Sequence, residues 1–130
     1  MRKGLRPIAM LATLTVSGPP VMAVTPVAPV GIETCDEFLA AYAQCAASPD
    51  VPDVARTGLR QSINTMREGF RAAVAGNERA RRTVEFQCAQ AHGVVRERLM
   101  AAYRCDFPAP SAAAAALAAQ APIPKSGSRP

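Results

Sequence analysis

Four cysteines, Cys35, Cys45, Cys88 and Cys105, constrain this 130-residue chain more than any other feature. Each falls in register with apolar neighbours at helical spacing, so all four sulfurs lie on one buried seam. The steps are C-x9-C and C-x16-C, whereas structural zinc sites take paired ligands from C-x2-4-C knuckles that close a small chelate. No C-x-x-C pair exists to lower a thiol pKa for thiol-disulfide exchange. The spacing predicts two disulfides between helices, and no metal or other cofactor is expected.

The first residues say why the sulfurs should be oxidised. Arg2, Lys3 and Arg6 form a basic start, Ile8 to Val16 an apolar stretch, and Val21-Met22-Ala23 ends in the small residue favoured by signal peptidase. Residues 1–23 therefore read as a signal peptide cleaved after Ala23, which places the mature chain in the periplasm or outside the cell. An uncleaved amphipathic anchor is the alternative. The apolar stretch is closed by Gly18-Pro19-Pro20 and is shorter than the roughly 18 to 20 residues that cross a bilayer. No membrane span is expected.

Removing the leader takes three of the fifteen basic residues and none of the ten acidic ones, leaving 12 against 10, a net charge of +2. Such a small excess does not call for nucleic acid or an anionic membrane. Residues 24–31 read as a Pro-rich linker and 108–130 as an Ala/Pro-rich tail. The tail is a candidate linker, wall-associated spacer or helix nucleated by Ser111; its Ala run is short and lacks an apolar face, so it is expected to be disordered. The remaining domain, 32–107, holds about 75 residues, a size that in an oxidising compartment is commonly stabilised by disulfides.

That domain reads as all-α. Thr34 and Glu37 form a capping box for a first helix with the stripe Cys35, Phe38, Leu39, Tyr42, Cys45 and Ala46. Ser48-Pro49-Asp50-Val51-Pro52-Asp53 ends it. A second helix carries Leu59, Ile63, Met66, Phe70 and Val74, with Gly76 as its C′ residue and Asn77 as the cap of the third. The third turns Val84, Cys88, Ala91, Val95, Leu99 and Ala102 inward, leaves Arg81, Arg82, Glu85, Arg96, Glu97 and Arg98 mostly to water, and stops near Tyr103 to Cys105. No alternating strand pattern or hairpin turn competes.

Short loops favour a three-helix up-down-up bundle with the first and third helices parallel. Cys35 should then meet Cys88, and Cys45 should meet Cys105. The two steps differ by seven residues, about 10 Å of helix, so one helix must tilt or fray. Pairing Cys35 with Cys105 and Cys45 with Cys88, which needs antiparallel helices, is the rival.

Catalysis has few candidates. His92 is the sole histidine and reads as a packing or capping residue at the edge of the seam; no nucleophile, base and orienting group come together. No catalytic residue is assigned, and the protein is not expected to be an enzyme. The candidate binding face is a stripe on the second helix, Arg56, Arg60, Arg67 and Arg71, at multiples of four and seven. A solvated face is the simplest meaning. The functional meaning is docking to an envelope protein or another acidic surface, which arginine meets with a bidentate fork. The aromatic residue among the arginines, Phe70, belongs to the apolar stripe and leaves no series of rings to stack on bases, so nucleic acid is not expected.

Thr34-Cys35-Asp36-Glu37-Phe38-Leu39, Tyr42, Cys45, Met66-Arg67, Phe70-Arg71, Cys88 and Tyr103-Arg104-Cys105 together resemble a group of small exported proteobacterial helical proteins with a C-x9-C helix and two later cysteines. The resemblance spans Glu33 to Phe107 and implies no particular activity. Thr34 to Leu39 is also similar to the start of the HdeA/HdeB-type periplasmic acid-stress chaperones, which have a single disulfide. That likeness implies an acid-stress holdase, in which twelve basic residues and His92 bring the charge of the acidified chain to about +13 and self-repulsion opens the seam. The leading expectation is a non-enzymatic envelope protein with a structural or protein-binding role. The holdase is the alternative, and a thiol-based metal carrier, which needs free thiols, is a third.

Overall fold

The structure, a computed structural model, describes Gly18 and residues 27–120. Apart from Gly18, the leader read from the sequence lies outside the described residues, as does its cleavage point. Those described are all-α: α1 (Glu33–Ala46), α2 (Asp53–Val74), α3 (Glu78–Tyr103) and α4 (Ala112–Gln120), with no strand among them. α1 packs on both α2 and α3, α2 also meets α3, and α4 lies on α3.

The apolar stripe of α1 is buried throughout: Cys35, Phe38, Leu39, Tyr42, Cys45 and Ala46 all lack appreciable exposure. The start of the helix departs from the expected capping box. Ile32 occupies the N-cap without a side-chain bond, and Thr34 is buried inside the first turn. Asp36 instead reaches back to accept from the Val30 N–H at 2.6 Å and the Gly31 N–H at 3.2 Å. Gly31 has φ 94°, a left-handed conformation that a Cβ would strain, and Arg81 on α3 donates to its carbonyl at 2.9 Å. Val30 and Ile32 are buried, so the end of the segment read as a linker belongs to the packed domain.

α1 and α2 are joined by a turn in which Val51 is buried and Arg56 collects carbonyls. Arg56 Nε donates to Ala46 O at 3.1 Å, and Nη2 donates to Ser48 O and Val51 O at 3.1 and 3.0 Å. These acceptors lie where α1 runs out of backbone partners. α2 ends at Ala75, and the Gly76 N–H returns to Ala73 O at 3.1 Å without a positive φ. The expected left-handed C′ glycine is therefore absent. What favours glycine there is space: a Cβ at Gly76 would sit 3.2 Å from Ala73 O. Asn77 caps α3 as its sequence position implies, accepting from the Ala80 N–H at 2.9 Å.

The mismatch between the cysteine steps is absorbed at the far end of α3. Arg104 closes that helix at φ 52°, ψ 29°, so the chain leaves the helical path before Cys105 and brings it back toward α1. Ala102, expected on the inner face, is exposed.

Against the expectation of disorder for 108–130, residues 112–120 are helical, and 121–130 lie outside the described residues. Ser111 begins α4: its hydroxyl accepts from the Ala114 N–H at 3.2 Å and its carbonyl from the Ala115 N–H at 2.9 Å. The Glu37 carboxylate accepts from both the Ser111 N–H and, at 2.9 Å, the Ser111 hydroxyl. An alanine-rich segment that is marginal in water gains a charged cap from α1 and one buried contact, Ala114, which together favour the helix.

Candidate binding face

Sulfur sets the frame on which any surface is displayed. Cys35 is bonded to Cys88 with Cα atoms 5.0 Å apart, and Cys45 to Cys105 with Cα atoms 4.9 Å apart. All four residues are buried and no cysteine is free. Both bridges join α1 to α3 or its immediate continuation, in the same chain order. Neither touches α2. Buried disulfides of this kind belong to an oxidising, non-cytoplasmic environment. No helix of the described residues is long and apolar enough to cross a membrane.

Beside the bridges, four rings close a cycle. Phe38 meets Tyr42 edge-on with centroids 5.9 Å apart, Tyr42 meets Phe107 at 6.2 Å, Phe107 meets His92 at 5.5 Å, and His92 returns to Phe38 at 5.9 Å. Edge-to-face pairs set the positive rim of one ring against the negative face of the next. His92 is wholly buried, and its Nε2–H donates to Pro108 O at 2.9 Å, which assigns the tautomer; Nδ1 has no partner among the described residues. The spacing from Cys88 placed this histidine near the seam. Only the return of Phe107 over it made it a core residue. Burial pushes the Tyr42 phenol above its ordinary value of 10, with the Ser62 hydroxyl opposing that shift and Tyr103 adding to it.

The four arginines proposed from sequence do share a flank of α2, but they do not share a role. Arg56 is mostly covered and tied to three carbonyls and to Asp53 at 3.2 Å. It holds the α1–α2 turn and is not available to a partner. Arg60 and Arg71 are exposed, and Arg67 is half-buried with its Nε out of water and without an acceptor among the described residues. The ion pairs among the described residues are Arg56–Asp53 and Arg82–Glu78, so Arg60, Arg67 and Arg71 have no carboxylate of their own. They border the half-buried Phe70 and Val74. At about 100° per residue the opposite flank of α2 carries Gly58, Ser62 and Thr65, which with Tyr42, Met66 and Val95 line an open groove of about 550 Å³.

A sign that Arg56 differs from the other three was present in the sequence. It follows Asp53 by three residues and lies one turn into the helix after a Pro-rich stop, where orphan carbonyls gather. Nothing local marked Glu37 as the cap of a helix more than seventy residues away. Among the described residues no group of three His, Cys, Asp or Glu side chains is arranged to hold a metal ion.

Comparison with protein-family models, with curated proteins and with solved structures returns no match.

Proposed function

We propose that the protein is a non-enzymatic binding scaffold of the bacterial envelope, exported on residues 1–23 and cleaved after Ala23. In this reading α1, α2 and α3 form an up-down-up bundle, and the mature chain docks an acidic envelope protein through Arg60, Arg67 and Arg71. The observation that carries the reading is the charge imbalance on α2: three guanidinium groups share one flank, have no acidic partner among the described residues, and one has a desolvated Nε. An arginine held this way is ready for a carboxylate at little further ordering cost. The sole imidazole is sealed among aromatic rings, which argues against general acid-base work.

The test is capture from an envelope fraction by the oxidised mature protein, against the triple variant Arg60→Gln, Arg67→Gln, Arg71→Gln. A specific partner should be retained by the parent, released by salt, and lost by the variant at unchanged helix content. Equal retention by both proteins eliminates the face. N-terminal sequencing of the exported protein should begin at Val24; a start at Met1 removes the export step.

A second reading, an acid-stress holdase, draws on one observation. Both bridges spare α2, so α2 can leave and uncover Leu59, Ile63 and the α1 seam with every disulfide closed. Dye binding and protection of a client enzyme at low pH test it: a domain that stays closed and protects nothing ends that reading. The metal-carrier reading needs free thiolates, and all four sulfurs are bridged.

A further inference from the structure

The segment after α3 is held by an unusual set of bonds. From Asp106 to Gln120 it crosses α1 and α3, places Phe107 in the ring cluster and continues as α4. Its polar contacts to the domain are few. Glu37 on α1 accepts twice from Ser111, His92 on α3 donates to Pro108 O, Gln44 on α1 donates to Asp106 at 2.6 Å, and Arg96 on α3 donates to Phe107 O at 2.9 Å. Three of the four contacts include a group that takes up a proton in acid: Glu37, His92 and Asp106. Arg96 alone keeps its charge and its bond.

We propose that residues 106–120 form an acid-released strap: proton uptake by Glu37 and His92 loosens it from α1 and α3, uncovering the edge of the aromatic cluster while both disulfides stay closed. The inference stands on the strap contacts alone and depends on neither reading of α2.

Chemistry gives the direction at each latch. An ionised Glu37 offers two acceptor oxygens to the first turn of α4, where the helix dipole also favours negative charge. Protonation removes the charge and converts one oxygen into a donor facing a hydroxyl already engaged with Ala114. No cation within ion-pair distance of Glu37 among the described residues would maintain the contact by another route. Proton uptake by His92 must occur at Nδ1, because Nε2 already carries the hydrogen given to Pro108. The new N–H would be buried without an acceptor, and the imidazolium would sit among rings in a dry site. The native strap is therefore favoured with Glu37 ionised and His92 neutral, and its hold falls as pH falls. Of the other titratable neighbours, Asp106 accepts from the uncharged Gln44 amide, which can still donate to a protonated carboxyl, and Tyr42 is neutral throughout the acid range, since burial raises its phenol above 10.

The measurement is amide hydrogen exchange by NMR on the oxidised full chain, with rates corrected for the intrinsic effect of pH. Between about pH 7 and pH 3, protection at Ala114 and Ala115 should fall by about tenfold or more, whereas Leu39 and Ala89 beside the first bridge should change by less than about threefold. Glu37→Gln, which keeps the shape and removes the charge, should loosen Ala114 at neutral pH and flatten its pH dependence. Ser111→Ala, which removes the hydroxyl and leaves the carboxylate, should loosen the strap at every pH without disturbing Leu39. Protection at Ala114 that persists to pH 3, or that is lost only together with Leu39 in a single transition, overturns the inference. So does a Glu37→Gln protein whose strap is as protected as the parent at neutral pH.

Discussion

α1 and α2 follow the same amphipathic rule and end in different states. α1 spans 14 residues, eight of them buried; α2 spans 22, with only Leu59 and Ile63 buried. The difference comes from sulfur. Two bridges tie α1 to α3 and to the residue just beyond it, with Cα atoms about 5 Å apart, and the aromatic cycle is assembled on that seam. α2 closes one side of the pair and keeps Met66, Phe70 and Val74 half-covered. A covalent frame and a packed arm therefore coexist in one small domain, and local stability should be unequal between them.

Breaking the frame gives the largest expected effect. Reducing both disulfides should cost about 2–4 kcal/mol for each, comparable to the whole stability of a domain this size, and thermal melting followed by circular dichroism should find the reduced chain unfolded near 37 °C. A reduced protein that melts like the oxidised one would show that packing alone holds α1 to α3.

Next comes a matched pair of truncations. Phe38→Ala empties a buried site in the ring cycle and should cost about 3–5 kcal/mol, whereas Met66→Ala on α2 should cost roughly 1 kcal/mol because that side chain is only half-buried. Equal losses in urea titrations would erase the distinction between frame and arm.

Arg56 joins the two regions, and its removal sharpens the contrast. Arg56→Ala leaves the carbonyls of Ala46, Ser48 and Val51 without their donor and should destabilise by about 1–3 kcal/mol. Arg56→Lys should recover little, since one ammonium cannot reproduce the planar fork. Substituting Arg60, Arg67 and Arg71 together should stay within about 0.5 kcal/mol per site, because they hold no intramolecular partner among the described residues.

The smallest effect is alkaline. Burial favours the neutral Tyr42 phenol, so its contribution is fully present below about pH 10 and is lost as pH rises through its higher folded value. Tyr42→Phe should remove that alkaline decline in pH-dependent melts, and an unchanged decline would assign it to another group.

Much of this contrast was legible in the chain before its structure. The stripe of α1, the Asn77 cap and the end of α3 near Tyr103 follow from local periodicity and capping chemistry. Thr34-x-x-Glu37 also carried a valid local signal, yet tertiary contacts overrode it: Asp36 held the helix start and Glu37 was drawn to Ser111. Arg56 matched its three neighbours in spacing but not in role, because the carbonyls it serves come from another helix and a turn. α4, one of three meanings the sequence offered for the tail, could not be chosen locally for the same reason. Alanine is a strong helix former, but a run this short barely offsets the cost of nucleation, and what tips it is a carboxylate supplied from α1.

Residue order alone therefore determined most of the positions that turn inward on α1, α2 and α3, Ala102 excepted, and that Cys35, Cys45 and Cys88 lie on inner faces, because helical periodicity acts within a few residues. The chain fold decided which arginine is tied down, that His92 is sealed beneath Phe107, and that residues 112–120 are helical. Those outcomes depend on partners brought from distant positions, whose free energies local pattern does not contain.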